Sequence, residues 1–206
     1  DPANVTGMAK VDNGTLIFKR IYDAAEAGKD GVIFTSRGDK SGTNTKEEQL
    51  WKAWGLNRTV QTKTWYKSLG QGMGPTLIAT NEMQAYTLTD YGTWLKMRSG
   101  LTSLKVVSAQ QPKDLKNAYS VMAVDPEKHP HVKFDLAVDF VYFMVRDGQD
   151  IIGNYTIDGE LVFNRFVKPD CWCHSSLCPV CNGTFHLVCS SSRSLFHNDC
   201  LLSRAF

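Results

Sequence analysis

The first 170 residues of this 206-residue chain contain no cysteine; all six fall between Cys171 and Cys200. A disulfide framework therefore cannot organise the body of the protein, which has to rest on a hydrophobic core. No apolar run approaches the roughly 18 residues of a membrane-spanning helix. Neither charge dominates. Lys and Arg number 23 against 21 Asp and Glu, and the net charge of +2 is too small to imply a nucleic-acid partner. No internal repeat at solenoid spacing is present. The chain opens Asp-Pro-Ala-Asn rather than with a basic, then apolar, leader, so a mature, trimmed or partial chain is expected. No nucleophile–base pair is legible either. Asp90, Thr87 and Thr89 have no histidine near them in sequence, so neither catalysis nor a cofactor is expected.

What is present suits a folded domain, or two small lobes: 42% hydrophobic and 21% charged residues. Five N-x-S/T sequons, at Asn4, Asn13, Asn57, Asn154 and Asn182, favour a secreted glycoprotein. The aromatic residues Trp51, Trp54, Trp65, Trp94 and Phe140 are expected mainly in the core.

Local patterns place the elements. Residues 15–27, TLIFKRIYDAAEA, have helical period through Leu16, Ile17, Ile21, Ala24 and Ala25, and Gly28 is a natural stop. Residues 31–35 form a short apolar run of strand type. A helix from Thr45 to Trp54 is expected, with Thr45-Lys46-Glu47-Glu48 as a capping box and Gly55 as its end. After the glycine-rich turn at 70–74, a helix begins with Pro75 in its first turn. Strands are expected at 85–89, 104–108 and 119–124. Helices are expected after an Asp90 cap, over 132–146 with Leu136, Phe140, Phe143 and Met144 on one face, and around Gln149–Asn154. His129 and His131, beside Pro130, mark a loop. The segment TIDGELVF reads as a hairpin. Alternation of strands and helices indicates an α/β fold with a mainly parallel sheet.

The segment 34-FTSRGDKSGTNTKEEQLWKAWG-55 leaves a strand and enters a helix. The first N–H groups of a helix are unpaired and its dipole is positive there, so such an end favours an anion. Ser36, Ser41 and Thr43 add hydroxyl donors, Arg37 adds a permanent positive fork, and Gly38 and Gly42 allow close approach. The same residue types also build ordinary turns. Neither the P-loop nor the dinucleotide glycine spacing is present.

This segment, together with GQGMGPTLIATNEMQAYTLTDYGTWLKM, YSVMAVDPEKHPHVKFDLAVDFVYF and GQDIIGNYTIDGELVF, resembles the periplasmic tungstate-binding proteins of bacterial ABC transporters, a type II solute-binding family. The resemblance runs over roughly residues 1–169. It implies two α/β lobes around a cleft that holds an oxyanion of the tungstate or molybdate type, without catalysis. It also implies a secreted or periplasmic location and, in a bacterium, an ABC transporter permease as partner. In the S-R-G-D-x-S-G-T loop it implies Ser36, Arg37, Ser41 and Thr43 as ligand contacts; Asp39 is expected to brace the loop or pair with Arg37 rather than touch an anion, because like charges repel. A lead-in over 1–14, a second lobe over 15–110 and a return segment to the first lobe over 111–167 follow from it. The family's N-terminal Thr- and Ser-rich stretch has no counterpart here, so one complete lobe plus part of another is expected, with weakened binding. The family's arginine after L-T-D is replaced by Tyr91. The alternative is a structural or interaction protein that keeps the fold and has lost the ligand.

From Lys168 the composition changes. The tail, 168–206, has three open readings: disulfide-linked, poorly ordered or aberrant, or a zinc module through Cys178, Cys181, His186 and Cys189.

Overall fold

A computed structural model of the chain describes residues 7, 11–29, 31–107 and 112–165. The chain divides into two compact units, Asp1–Asn117 and Ala118–Phe206.

The first unit begins with α1, Gly14–Glu26. Its start is capped twice. Asn13 accepts the Leu16 N–H at 2.7 Å, and the Asp114 carboxylate accepts the backbone N–H groups of Gly14 and Thr15 at 2.9 and 2.8 Å and the Thr15 hydroxyl at 2.6 Å. These bonds satisfy donors that a helix start leaves open. At the other end Gly28 takes φ +68°, so its N–H reaches Ala25 while Lys29 reaches Ala24, closing the helix. The expected apolar stripe holds at Ile17, Ile21 and Ala24, but Phe18 is buried where Leu16 was expected and Leu16 is exposed.

Strand β1, Phe34–Ser36, is fully buried and lies parallel to β2, Tyr66–Ser68, in the register Phe34↔Tyr66, Thr35↔Lys67 and Ser36↔Ser68. On its other side β1 meets Tyr86 through a single parallel bridge. A full strand over 85–89 does not form. The Thr87 hydroxyl donates to the Thr35 carbonyl at 2.7 Å and so occupies an acceptor that a continuing ladder would use. The strand expected over 104–108 is absent from its described residues, 104–107, and that at 119–124 is also absent. Val106 and Met122 are exposed there, and an apolar alternation without a neighbouring strand has nothing to pair with.

Around β1 sit α2, Gly42–Lys52, and α3, Met73–Met83, followed by α4, Tyr91–Met97. Asp90 caps α4 as expected, accepting the N–H and hydroxyl of Thr93. Phe18, Phe34 and Trp51 meet edge to face with ring centroids 4.5 to 5.4 Å apart, and Tyr66 stacks on Phe34 at 5.9 Å. This aromatic group, with Ile17, Ile21 and Leu50, is the main core. A smaller one joins Met73, Leu77 and Leu101. Beneath β1, α3 presents Thr80, fully buried, whose hydroxyl lies 2.6 Å from that of Thr35.

The second unit contains α5, Phe134–Val145, α6, Asp147–Asn154, and the hairpin β3, Thr156–Ile157, with β4, Glu160–Leu161. Asp158 and Gly159 both have positive φ, +51° and +79°, as the two-residue turn of such a hairpin requires. The α5 face that carries Phe140, a residue expected in the core, is not buried. Leu136, Phe140 and Phe143 are exposed, and Val141 is buried instead. Helical period fixes which residues share a face, but burial needs a partner element.

Candidate functional site

The site is built where β1 ends. Ser36 is its last residue, and the chain turns at once through Arg37, Gly38, Asp39 and Lys40 into α2. Gly38 (φ +64°) and Lys40 (φ +61°) make the turn tight. A Cβ on Gly38 would stand 2.1 Å from the Ser68 Oγ on β2 and 3.2 Å from the Gly70 backbone nitrogen, so a side chain here would displace Ser68 as well as strain the turn. The Leu69 N–H donates to the Ser36 carbonyl at 3.0 Å, and the Gln71 N–H to the Arg37 carbonyl at 3.1 Å, tying the loop to the chain after β2.

Helix α2 starts earlier than the capping box suggested. Ser41, not Thr45, is the N-cap: its hydroxyl oxygen accepts the Asn44 N–H at 3.3 Å. Asn44 completes the turn by accepting the Lys40 N–H at 3.0 Å, which holds Lys40 in its unusual conformation. The cap therefore falls inside the polar loop, and the positive end of α2 opens directly onto it.

Arg37, Asp39 and Ser41 form one cluster. The Arg37 Nε donates to Asp39 Oδ2 at 2.7 Å, and the Ser41 N–H donates to Asp39 Oδ1 at 3.1 Å. The Ser41 hydroxyl and N–H, then the Arg37 guanidinium, hold the Asp39 carboxyl below the usual carboxylate range against the opposing effect of burial. Asp39 is thus an anion already held by Arg37 and Ser41. Thr43 sits half-buried in the first turn of α2.

Ser36 differs from the other three. It is fully buried, and its hydroxyl donates to Glu47 Oε2 at 2.6 Å while accepting from Asn44 Nδ2 at 3.4 Å. The other Glu47 oxygen accepts from Trp51 Nε1 at 3.2 Å and from the Tyr66 hydroxyl at 2.8 Å. Burial pushes the Glu47 carboxyl up, opposed by the hydrogen bonds from Ser36, Tyr66, Trp51 and Asn44. Burial and then the neighbouring Glu47 charge push the Tyr66 hydroxyl well up.

Sequence reasoning missed Glu47, Asn44 and Tyr66. A signal for the first two exists: Asn44, Glu47 and Trp51 are spaced by three and four residues and share the buried face of α2 with Leu50. A carboxylate and a carboxamide on an otherwise apolar face mark buried polar groups that must find partners.

Among the described residues no group of three or more His, Cys, Asp or Glu could hold a metal ion. Cys178, Cys181, His186 and Cys189 lie outside the described residues, as do Asn4 and Asn182. Among the other sequons, Asn13 caps α1, Asn57 is half-buried, and Asn154 is exposed and accepts from Arg165 Nη2 at 3.2 Å. Tyr91 is the first residue of α4, directly after its Asp90 cap.

An α/β unit with a polar strand-to-helix loop at the end of a buried parallel strand defines the class. Residues 12–148 match the family model of the PBP superfamily domain, and the chain belongs to this superfamily of periplasmic-binding-protein-like folds. It is 38% identical over 167 residues to a Haloferax volcanii protein named as a candidate ABC transporter anion-binding protein, a match covering 79% of this chain and 45% of that one. It is 37% identical over 123 residues to the tungstate-binding protein TupA of Peptoclostridium acidaminophilum, covering 59% of this chain and 41% of the relative. The solved structure of TupA from Desulfovibrio alaskensis G20 aligns with a TM-score of 0.63 and 33% identity, over 82% of this chain and 64% of that chain. The chain thus spans less than half the length of these two curated relatives.

Proposed function

We propose that this chain supplies one side of a site that captures a tungstate-type oxyanion without reacting with it. The observation that carries the reading is the cluster at the start of α2. Arg37 and the Ser41 hydroxyl and N–H converge on one carboxylate, that of Asp39, beside the N-terminal end of α2. Thr43 adds a hydroxyl one step along, and Ser36 anchors the base of the loop with its hydroxyl turned to Glu47. Similarity to proteins named as tungstate-binding supports the choice of anion.

The chain corresponds to the second lobe with its anion loop, over 15–110, and a return segment, 111–167. Donors from an opposing lobe would complete the clamp. With one side supplied, the anion stays partly in water, where a charge pair at 4 Å is worth about 1 kcal/mol rather than about 4 near a protein surface. Binding by this chain is therefore weaker than micromolar. Isothermal calorimetry with sodium tungstate tests both parts. Weak heats that vanish in Arg37→Ala are expected, whereas submicromolar affinity contradicts the one-sided site.

The setting is secreted or periplasmic, with an ABC transporter permease as partner in a bacterial host. No described helix is long and apolar enough to cross a membrane. In a eukaryotic secretory route the exposed Asn154 is, among the described residues, one sequon placed to carry a glycan, which intact mass before and after deglycosylation would reveal. One observation favours a ligand-free structural role instead. Tyr91 stands where the resembling family has arginine, which removes a positive charge.

A further inference from the structure

We infer that Glu47 is a positioning residue for the anion loop: it sets whether the single hydrogen of the Ser36 hydroxyl is held inward or released towards a bound oxyanion. This rests on the oxyanion reading above and names a proton linked to it.

A serine hydroxyl has one hydrogen. In the free protein that hydrogen is committed to Glu47 Oε2 at 2.6 Å. Asn44 Nδ2 already donates to the same Ser36 oxygen. When Glu47 carries a proton on Oε2, the bond reverses. The carboxylic O–H donates to the Ser36 oxygen, and the serine hydrogen is free to turn outward. Glu47 Oε1 remains the acceptor for Trp51 Nε1 and the Tyr66 hydroxyl in both states, so the carboxyl keeps its place. One proton is taken up from water and resides on Glu47; no covalent bond to the anion forms.

The surroundings make the neutral acid accessible. From β1 the facing group is Ser36, which is uncharged, and from β2 it is Tyr66, which stays protonated. From α2 the groups are Asn44 and Trp51, with the Glu48 charge acting on Tyr66. Phe18 and Phe34 close the Trp51 side with apolar rings. No lysine or arginine hydrogen-bonds to Glu47 among the described residues, and burial opposes its ionised form. A second negative charge arriving at the loop opposes it further.

Chemical-shift titration of the full chain with sodium tungstate, over a pH range that spans the carbon-13 titration of the Glu47 carboxyl, tests the inference, using wild type, Glu47→Gln, Glu47→Ala and Ser36→Ala. The wild-type affinity should fall as pH rises, by up to about tenfold per pH unit, the limit for one linked proton. Glu47→Gln offers an amide donor to Ser36, as the acid does, so it should bind at least as tightly with a flatter profile. Glu47→Ala leaves the Ser36 hydrogen unheld and carries no titrating group, so it should lose the pH slope, and Ser36→Ala should flatten the wild-type slope. Equal slopes in wild type and Glu47→Gln overturn the inference, because protonation of tungstate itself is common to both. Absence of tungstate-induced shifts in every protein rejects the oxyanion reading instead. The positioning role is then decided by the carbon-13 titration of the Glu47 carboxyl, which Ser36→Ala must displace; an unmoved titration overturns it.

Discussion

Arg37 Nε donates to Asp39 Oδ2 at 2.7 Å, and the second oxygen of the same carboxylate accepts the Ser41 N–H. The donors proposed for an oxyanion therefore already hold one in the free protein. An arriving ligand meets both a preformed donor set and a like charge. Asp39→Asn removes the charge and leaves a single acceptor oxygen, so one of Arg37 Nε and the Ser41 N–H is released to a ligand and tungstate should bind a few-fold more tightly. Arg37→Lys should not restore what Arg37→Ala loses, because an ammonium lacks the planar fork. Calorimetry of the three variants checks this, and equal affinity of Arg37→Lys and wild type would contradict it.

Glu47 links stability to pH with a definite sign. Burial raises its carboxyl in the folded state, so its contribution to stability is fully present below the unfolded carboxylate range and is lost as pH rises through the raised folded value. Urea unfolding of wild type against Glu47→Gln, across pH 4 to 9, should show the wild type losing ground to the variant as pH rises. Glu47→Leu should cost about 2–4 kcal/mol, because Ser36, Trp51 and Tyr66 then keep buried donors without an acceptor.

Asp114 carries the opposite sign. Hydrogen bonds from Thr15 and Gly14 lower its carboxyl against the effect of burial, so its stabilisation is present above the unfolded carboxylate range and lost as pH falls through the lowered folded value. Asp114→Ala removes the cap shared by the Gly14 and Thr15 amides and should destabilise the first unit by about 1 kcal/mol. The gap in melting temperature between wild type and variant should be larger at pH 7 than at pH 3.

Gly38→Ala should be costly for two separable reasons. The left-handed backbone adds roughly 1 kcal/mol for any side chain, and the new methyl meets the Ser68 oxygen. The double variant Gly38→Ala with Ser68→Gly should recover the steric part and leave the conformational part. Denaturant midpoints of the single and double variants separate them; no recovery in the double variant would mean that Ser68 is not the obstacle.

Elements governed by a local signal were legible in the sequence. The Asp90 cap, the Gly28 stop and the Asp158-Gly159 turn depend on a few adjacent residues, and each stands where the pattern put it. Strands at 85–89, 104–108 and 119–124 were not, because a strand exists only against a partner whose register lies elsewhere in the chain. At Thr87 a side-chain hydroxyl displaces that partnership. The start of α2 misled because Thr45 and Glu48 have the spacing of a capping box, while Ser41 and Asn44 have an equivalent spacing one turn earlier and do the capping. The loop residues Arg37 and Ser41 were legible as donors. Asp39 was legible as the brace of the loop, whereas the buried Glu47 behind Ser36 emerges only when β1, α2 and β2 come together.

The central claim is that the loop from Ser36 through Thr43 holds the oxyanion. Backbone amide shifts followed during a sodium tungstate titration test it most directly. The account predicts the largest shifts at residues 37–44, saturating with an affinity weaker than micromolar and disappearing in Arg37→Ala. Saturable shifts centred elsewhere, or an undiminished response in Arg37→Ala, would contradict it.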